Sequence, residues 1–276
     1  MSKSGHFSCQ SCHHRQLGWG DGLPCSFGHG RQEGRRNAPS LFTAAAQDSL
    51  FWDGRAASLG EQALGPLLAP DEMANDDLVS VVTRLQATET YPAEMAVVFG
   101  SPGVNISRIA TAIAAFQRTL DRPTRFDRFL RGTKDILSDE AIWGLHLFRT
   151  KARCANCHMG PNLTDGKFHN LGLSYYNRKL EDRGRYAVTG DPRDVGKFKT
   201  PSPRHLNHTG PYMHNGVFPL LRGLVNLYAI GGGRSARELD KDDPLFPHAA
   251  TKSPQIKRLD LTNAEREAIV AFLKEI

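Results

Sequence analysis

Apolar residues recur at helical spacing in three stretches of the chain. From Asn105, the positions Ile106, Ile109, Ile113, Phe116 and Leu120 alternate steps of three and four, which predicts an amphipathic helix capped by the Asn105 side chain. Ser138 opens a second helix with Ile142, Leu145 and Phe148 on one face. Near the end, Thr262 and Glu265 form a capping box, followed by Ile269, Phe272, Leu273 and Ile276 at helical spacing. No alternating strand pattern of comparable length competes. The first third is different: Gly18, Gly20, Gly22, Pro24, Gly28, Gly30 and Gly34 precede any sustained periodicity, so this stretch is expected to wrap something rather than form regular elements. Residues 131–137 read as a linker.

Composition narrows the class. A chain of 276 residues, 39% hydrophobic and 23% charged, can bury one large core or two smaller ones. No apolar run reaches about 18 residues, so no membrane span is expected. Five cysteines carry the chemistry. Four form two pairs, each followed at once by histidine: Cys9-Gln10-Ser11-Cys12-His13 and Cys154-Ala155-Asn156-Cys157-His158. Two thioethers fix a porphyrin edge and the next residue presents its imidazole to the iron, so this spacing reads as covalent attachment of c-type haem. A Cys/His zinc site is the rival reading, weakened because the pairs lie far apart and each His is adjacent rather than spaced by a turn. Cys25 is left over and reads as a small packed residue.

The formal net charge of +6 permits an acidic partner. Two haems would bring about four carboxylates and neutralise most of it, and no Lys/Arg run exists, so nucleic acid is not expected. Helix, haem motif, long loop and closing helix together predict an all-α fold. The expected architecture is two cytochrome c-like haem domains, residues 1–133 and 134–276, with long loops and little strand. Only eight residues precede Cys9, too few for the helix that normally enters such a motif. Since c-type haem is attached outside the cytoplasm, a missing export signal and a periplasmic location are expected.

The sequence resembles, nearly end to end, the bacterial di-haem cytochrome c peroxidases and their methylamine-utilisation (MauG-like) relatives. The resemblance rests on Gly22-Leu23-Pro24, Gly28-His29-Gly30, Arg36-Asn37-Ala38-Pro39, Phe51-Trp52-Asp53-Gly54-Arg55, Glu61-Gln62-Ala63, Glu72-Met73, Pro211-Tyr212-Met213-His214 and both haem motifs, in the family's order. It implies a peroxidatic haem ligated by His13 and an electron-exchanging haem ligated by His158. Glu72 matches the acid/base residue, Gln62 the amide that orients peroxide, with Pro66 in the same segment, and Trp52 the indole between the haems. His29 matches the loop histidine that occupies the peroxidatic iron at rest and leaves when the other haem is reduced.

Fourteen residues beyond His214, where the peroxidases place a Met ligand to the second iron, stands Tyr228. Tyrosine is the MauG-like choice and favours ferric iron, with Met213 as an alternative ligand. The resemblance also carries over a calcium ion held by the Asn37 side chain and the Thr209 and Pro211 carbonyls, and a haem propionate partner in Arg204. From the residues alone, Glu72 reads as a solvated carboxylate, Trp52 and Tyr228 as packing, and His29 as an exposed loop residue. Asn37 then caps a turn and Arg204 is a surface arginine. Three functions follow. The first is a peroxidase that reduces hydrogen peroxide with electrons from a small redox protein, a cytochrome c or a cupredoxin. The second is a MauG-like oxidase of a partner protein, and the third a plain electron carrier. A homodimer is allowed.

Overall fold

The computed structural model describes every residue except 235. Its first half is a helical cluster behind a long irregular loop. Ser58 caps α1 (Leu59–Leu68) by accepting the Glu61 N–H, and Asp77 caps α2 (Leu78–Gln86) in the same way. After α3 (Thr90–Phe99), Asn105 caps α4 (Ile106–Gln117) as its sequence predicts. Leu67, Met73, Val81, Leu85, Met95, Val104 and Ile109 form the core that these helices share. Phe116 departs from the predicted apolar face: it is 52% exposed and meets Trp19 edge-on, while the core side of α4 is set by Ile109, Ala114 and Gln117.

The second half is built on α6 (Asp139–Arg149) and α10 (Asn263–Leu273), opened by the Ser138 cap and the Thr262/Glu265 capping box. They touch closely because Gly144 has no side chain: a Cβ there would run into the Ala268 carbonyl. The buried face of α6 is Ala141, Leu145 and Phe148, whereas Ile142 turns outward. Between them run β1 (Phe168–His169) and β2 (Phe198–Lys199), an antiparallel ladder two residues long, and the helices α7 (Tyr186–Thr189), α8 (Leu221–Ala229) and α9 (Phe246–Ala250). The fold is mostly helical with little strand, as the periodicity predicts.

One short helix crosses the expected division. α5 (Arg125–Leu130) precedes the 131–137 segment, yet Phe126 packs edge-on against Phe272 in the second core, and its N–H donates to the Glu275 carbonyl. Six residues are too few to show a helical period, so the sequence could not reveal which core this helix joins.

The two halves are clasped by the 47–55 loop. Arg36 pairs with Asp53 and, through two N–H groups, with Asp182 of the second half (2.6 and 2.8 Å). Arg185 donates to the Asp53 and Gly54 carbonyls, and the Lys199 N–H donates to the Trp52 carbonyl. Gly144→Ala should destabilise the protein by about 1–3 kcal/mol or more, because the helix pair must separate to admit the methyl group. The urea midpoint at unchanged m-value measures it; a midpoint equal to wild type would show that α6 and α10 do not meet there.

Candidate active site

Both cysteine motifs adopt the same local geometry. In each, a single 3-10 turn (Cys9–Ser11 and Cys154–Asn156) folds the histidine back so that its N–H donates to the first cysteine's carbonyl, at 2.9 Å for both His13 and His158. The ring Nδ1 then meets a backbone carbonyl: Trp19 for His13 (2.9 Å) and Leu163 for His158 (3.1 Å). An Nδ1–H given to a carbonyl leaves the Nε2 lone pair as the free edge, which is the tautomer a metal needs. Burial lowers both imidazoles below their ordinary value, so they stay neutral. Burial pushes the Cys154 thiol up to about 12 and raises Cys9, Cys12 and Cys157 as well. Among the described residues the one group of three side chains close enough for a metal ion is Cys157, Asp165 and His169, which takes a single cysteine from one pair. No such group among the described residues joins both cysteines of one motif.

One cavity of about 880 Å³ joins the motifs, and Cys12, His13, Cys154, Cys157 and His158 all lie on its wall. Cys9 stands outside it, exposed at the start of its turn. The volume, the mostly apolar lining and two neutral imidazoles fit two tethered tetrapyrroles. Gln62 and Pro66 of α1 line the same cavity, and Glu72, just beyond α1, stands close enough to act on Cys12 beside His13. Burial, followed by the Asp71 charge, raises the Glu72 carboxyl above its ordinary value, while Arg55 opposes the shift. At the His158 end stand Tyr228 of α8 and Met213. Burial and the neighbouring Cys154 and Cys157 raise the Tyr228 hydroxyl well above the ordinary tyrosine range.

Trp52 also lies on this wall. Its indole N–H donates to the Asn37 carbonyl (3.0 Å), and its ring meets His214 edge-on with centroids 6.3 Å apart. His214 stacks on Phe198 at 3.6 Å, and its Nε2 has no partner among the described residues. Burial lowers its imidazole to about 4, so it is neutral. Asn37 is buried, with its amide N–H on the Leu23 carbonyl; Asn37, Thr209 and Pro211 share the same wall.

Two predicted residues sit differently. His29 does not line the cavity: its N–H donates to the Glu72 carbonyl (2.8 Å), and Gly28 packs so close to Asp71 that a Cβ would strike its carbonyl. Arg204 lies on the wall, but its guanidinium is held by Asp127 (2.7 and 2.9 Å) and the Pro161 carbonyl. The Arg36–Asp182 bridge and Lys199 were not singled out by sequence. Arg36 falls inside a quoted block, and Lys199 shows only as a lone cation between Phe198 and Pro201.

A helical fold that brings two Cys-x-x-Cys-His motifs to one cavity defines a di-haem c-type cytochrome. The model of the di-haem cytochrome c peroxidase family matches residues 1–135. The chain is 37% identical to the cytochrome c551 peroxidase of Nitrosomonas europaea, over 88% of this chain and 72% of that protein. It is 36% identical to the methylamine utilization protein MauG of Methylorubrum extorquens, over 100% of this chain and 74% of that one. A crystal structure of a MauG-like protein associated with microbial copper homeostasis superposes with a TM-score of 0.86 at 32% identity, covering 99% of this chain and 84% of the other. The chain belongs to the di-haem cytochrome c peroxidase family, whose members carry two c-type haems.

The ion pair that holds the Trp52 loop has a defined pH signature. Arg36 keeps the Asp182 carboxyl below its ordinary value despite burial, so its contribution is full above the unfolded carboxylate range of about 3.9 and is lost as pH falls through the lower folded value. Asp182→Asn should cost about 2–3 kcal/mol at pH 7. The difference from wild type should shrink as pH falls below ~4 and close only below the lower folded value. Urea unfolding at both pH values measures it, and a gap that persists in acid would contradict the assignment.

Proposed function

We propose that the chain is a peroxidase that reduces hydrogen peroxide to two waters with two electrons and two protons, the electrons entering through the haem on Cys154, Cys157 and His158. The haem on Cys9, Cys12 and His13 is then the peroxidatic one. When bound, the haem iron supplies the electrons and the open position at which the O–O bond is split. The observation that carries the reading is Glu72, a carboxyl with raised proton affinity on the same wall as His13 and Gln62. A carboxyl of this kind takes the proton from one peroxide oxygen and returns it to the leaving one. Gln62 has both a donor and an acceptor to orient peroxide for that exchange. Trp52, fixed at its indole by Asn37 and at its backbone by Lys199, supplies an aromatic bridge between the two sites.

In this arrangement His29 is off the iron position, so the gate requires the 28–32 turn to leave the Glu72 carbonyl before the imidazole can reach it. Asn37, Thr209 and Pro211 are assigned to a calcium ion that pins the seam, with the Asn37 Oδ1 as the side-chain ligand. Arg204 has four of its N–H contacts taken by Asp127 and Pro161, so any role toward a propionate is limited to its remaining Nη1 hydrogen. The donor is a small redox protein, a cytochrome c or a cupredoxin, and the location is the periplasm. Two haem domains, 1–133 and 134–276, are the working division, with α5 lent to the second core.

One observation favours a second reading, a MauG-like oxidase of a partner protein. Tyr228 stands where the peroxidases carry methionine, in the field of Cys154 and Cys157, where an unpaired phenolate would be costly without a cation beside it. Ferric iron is such a cation, and phenolate ligation lowers its potential.

Steady-state turnover of peroxide with reduced cytochrome c tests the first reading. Glu72→Gln should lower kcat/KM for peroxide by about 10²–10⁴ with both haem spectra retained. Wild-type kcat/KM should fall as pH drops through a midpoint above the ordinary glutamate value, since the base must be deprotonated to accept the first proton, and that acid limb should be missing from the variant. Retention of wild-type kcat/KM in Glu72→Gln would refute the assignment.

A further inference from the structure

Lys199 on β2 is 8% exposed, and its ammonium faces the seam between the halves. The Nζ donates to Gln47 Oε1 (3.1 Å) and to the Ser49 carbonyl, both neutral oxygens of the first half. An ammonium has three N–H donors, so one remains. Asp48, the acid whose charge acts on it, sits on the surface, and no carboxylate of the described residues forms an ion pair with Lys199. Arg36, the neighbouring cation of the seam, is matched by two carboxylates.

Keeping a cation from water while it faces only neutral acceptors is costly unless an anion joins it. Burial, against the opposing Asp48 charge, pulls the Lys199 ammonium down to about 8, which leaves it mostly charged at neutral pH. Lys199 and Gln47 both line the central cavity, so the anion has to come from what that cavity receives. Haem brings carboxylates. The chain also fixes which haem: two residues after Lys199, Pro201 sits beside the His158 ring on the same wall.

We propose that the Lys199 ammonium is the counter-ion of a carboxylate on the haem held by His158, tying that carboxylate to the 47–49 turn that leads into Trp52. The inference rests on the peroxidase-family reading of the cavity and adds a cofactor-binding residue to it. A fixed cation at this edge favours the reduced haem, whose charge is one unit less positive, and so raises its affinity for the electron it receives. The same ammonium holds the turn carrying Trp52, so electron entry and the position of the bridging indole share one anchor.

The test uses exported protein with both haems attached. In spectroelectrochemical titrations, Lys199→Met should lower the reduction constant of the haem at His158 about tenfold, which is 59 mV for a one-electron couple, and leave the haem at His13 unmoved. Lys199→Arg keeps the charge, so the potential should stay near wild type while the haem carboxylate bands shift in the redox-difference infrared spectrum. An unchanged or raised potential in Lys199→Met, or a shift confined to the haem at His13, overturns the assignment. Should the methionine variant fail to accumulate, Lys199→Arg decides: carboxylate bands identical to wild type overturn the proposal, and shifted bands uphold it. Two haems per wild-type chain with an unmoved potential in Lys199→Met would sink this inference alone, whereas wild type without haem would sink the peroxidase reading with it.

Discussion

Everything in this molecule depends on two imidazoles being aimed into one cavity. Each is fixed twice: a turn of one residue pair folds its backbone onto the first cysteine, and a carbonyl takes its Nδ1 proton. With the ring so held, only the Nε2 lone pair faces inward, and burial keeps it unprotonated. That combination suits iron. The rest of the structure serves to bring the two imidazole ends to a common wall at fixed separation.

The seam does this with charge rather than with apolar area. Arg36 bridges Asp53 and Asp182 across the halves, Arg185 holds the carbonyls on either side of the turn, and Lys199 clasps the loop ahead of Trp52. Apolar packing alone would let the halves slide. Directional, charge-assisted bonds fix the indole's position more tightly than its stem packing could. The wall also carries different chemistries: a carboxyl stands near Cys12, a phenol and a thioether near Cys154.

Much of this was legible in the sequence. The helices opened by Asn105, Ser138 and Thr262 could be read from period and cap because they are long and amphipathic. The two Cys-x-x-Cys-His runs carry their geometry in their spacing. α1, α2, α3 and α8 were not resolved from the turn-rich first third or from the long loop of the second half. The apolar faces of α1 and α8 pack partly on the cavity wall, as with Gln62 and Tyr228, which breaks the plain polar/apolar alternation. Ile142 and Phe116 misled for the opposite reason: each has helical spacing, yet Gly144 and Ala114 allow the close approach that sets the buried face. Pairings such as Arg36 with Asp182 span 146 residues and leave no local signal. Lys199 stands among other charges in the sequence, and its meaning comes from the neutral oxygens around it.

The most direct measurement is the pyridine haemochrome spectrum of exported protein, combined with the mass of the denatured chain. Two thioether-linked haems per chain are predicted, with one lost when Cys9 and Cys12 are replaced by serine and the other when Cys154 and Cys157 are. A colourless chain of unmodified mass, or haem that washes out on denaturation, would contradict the account.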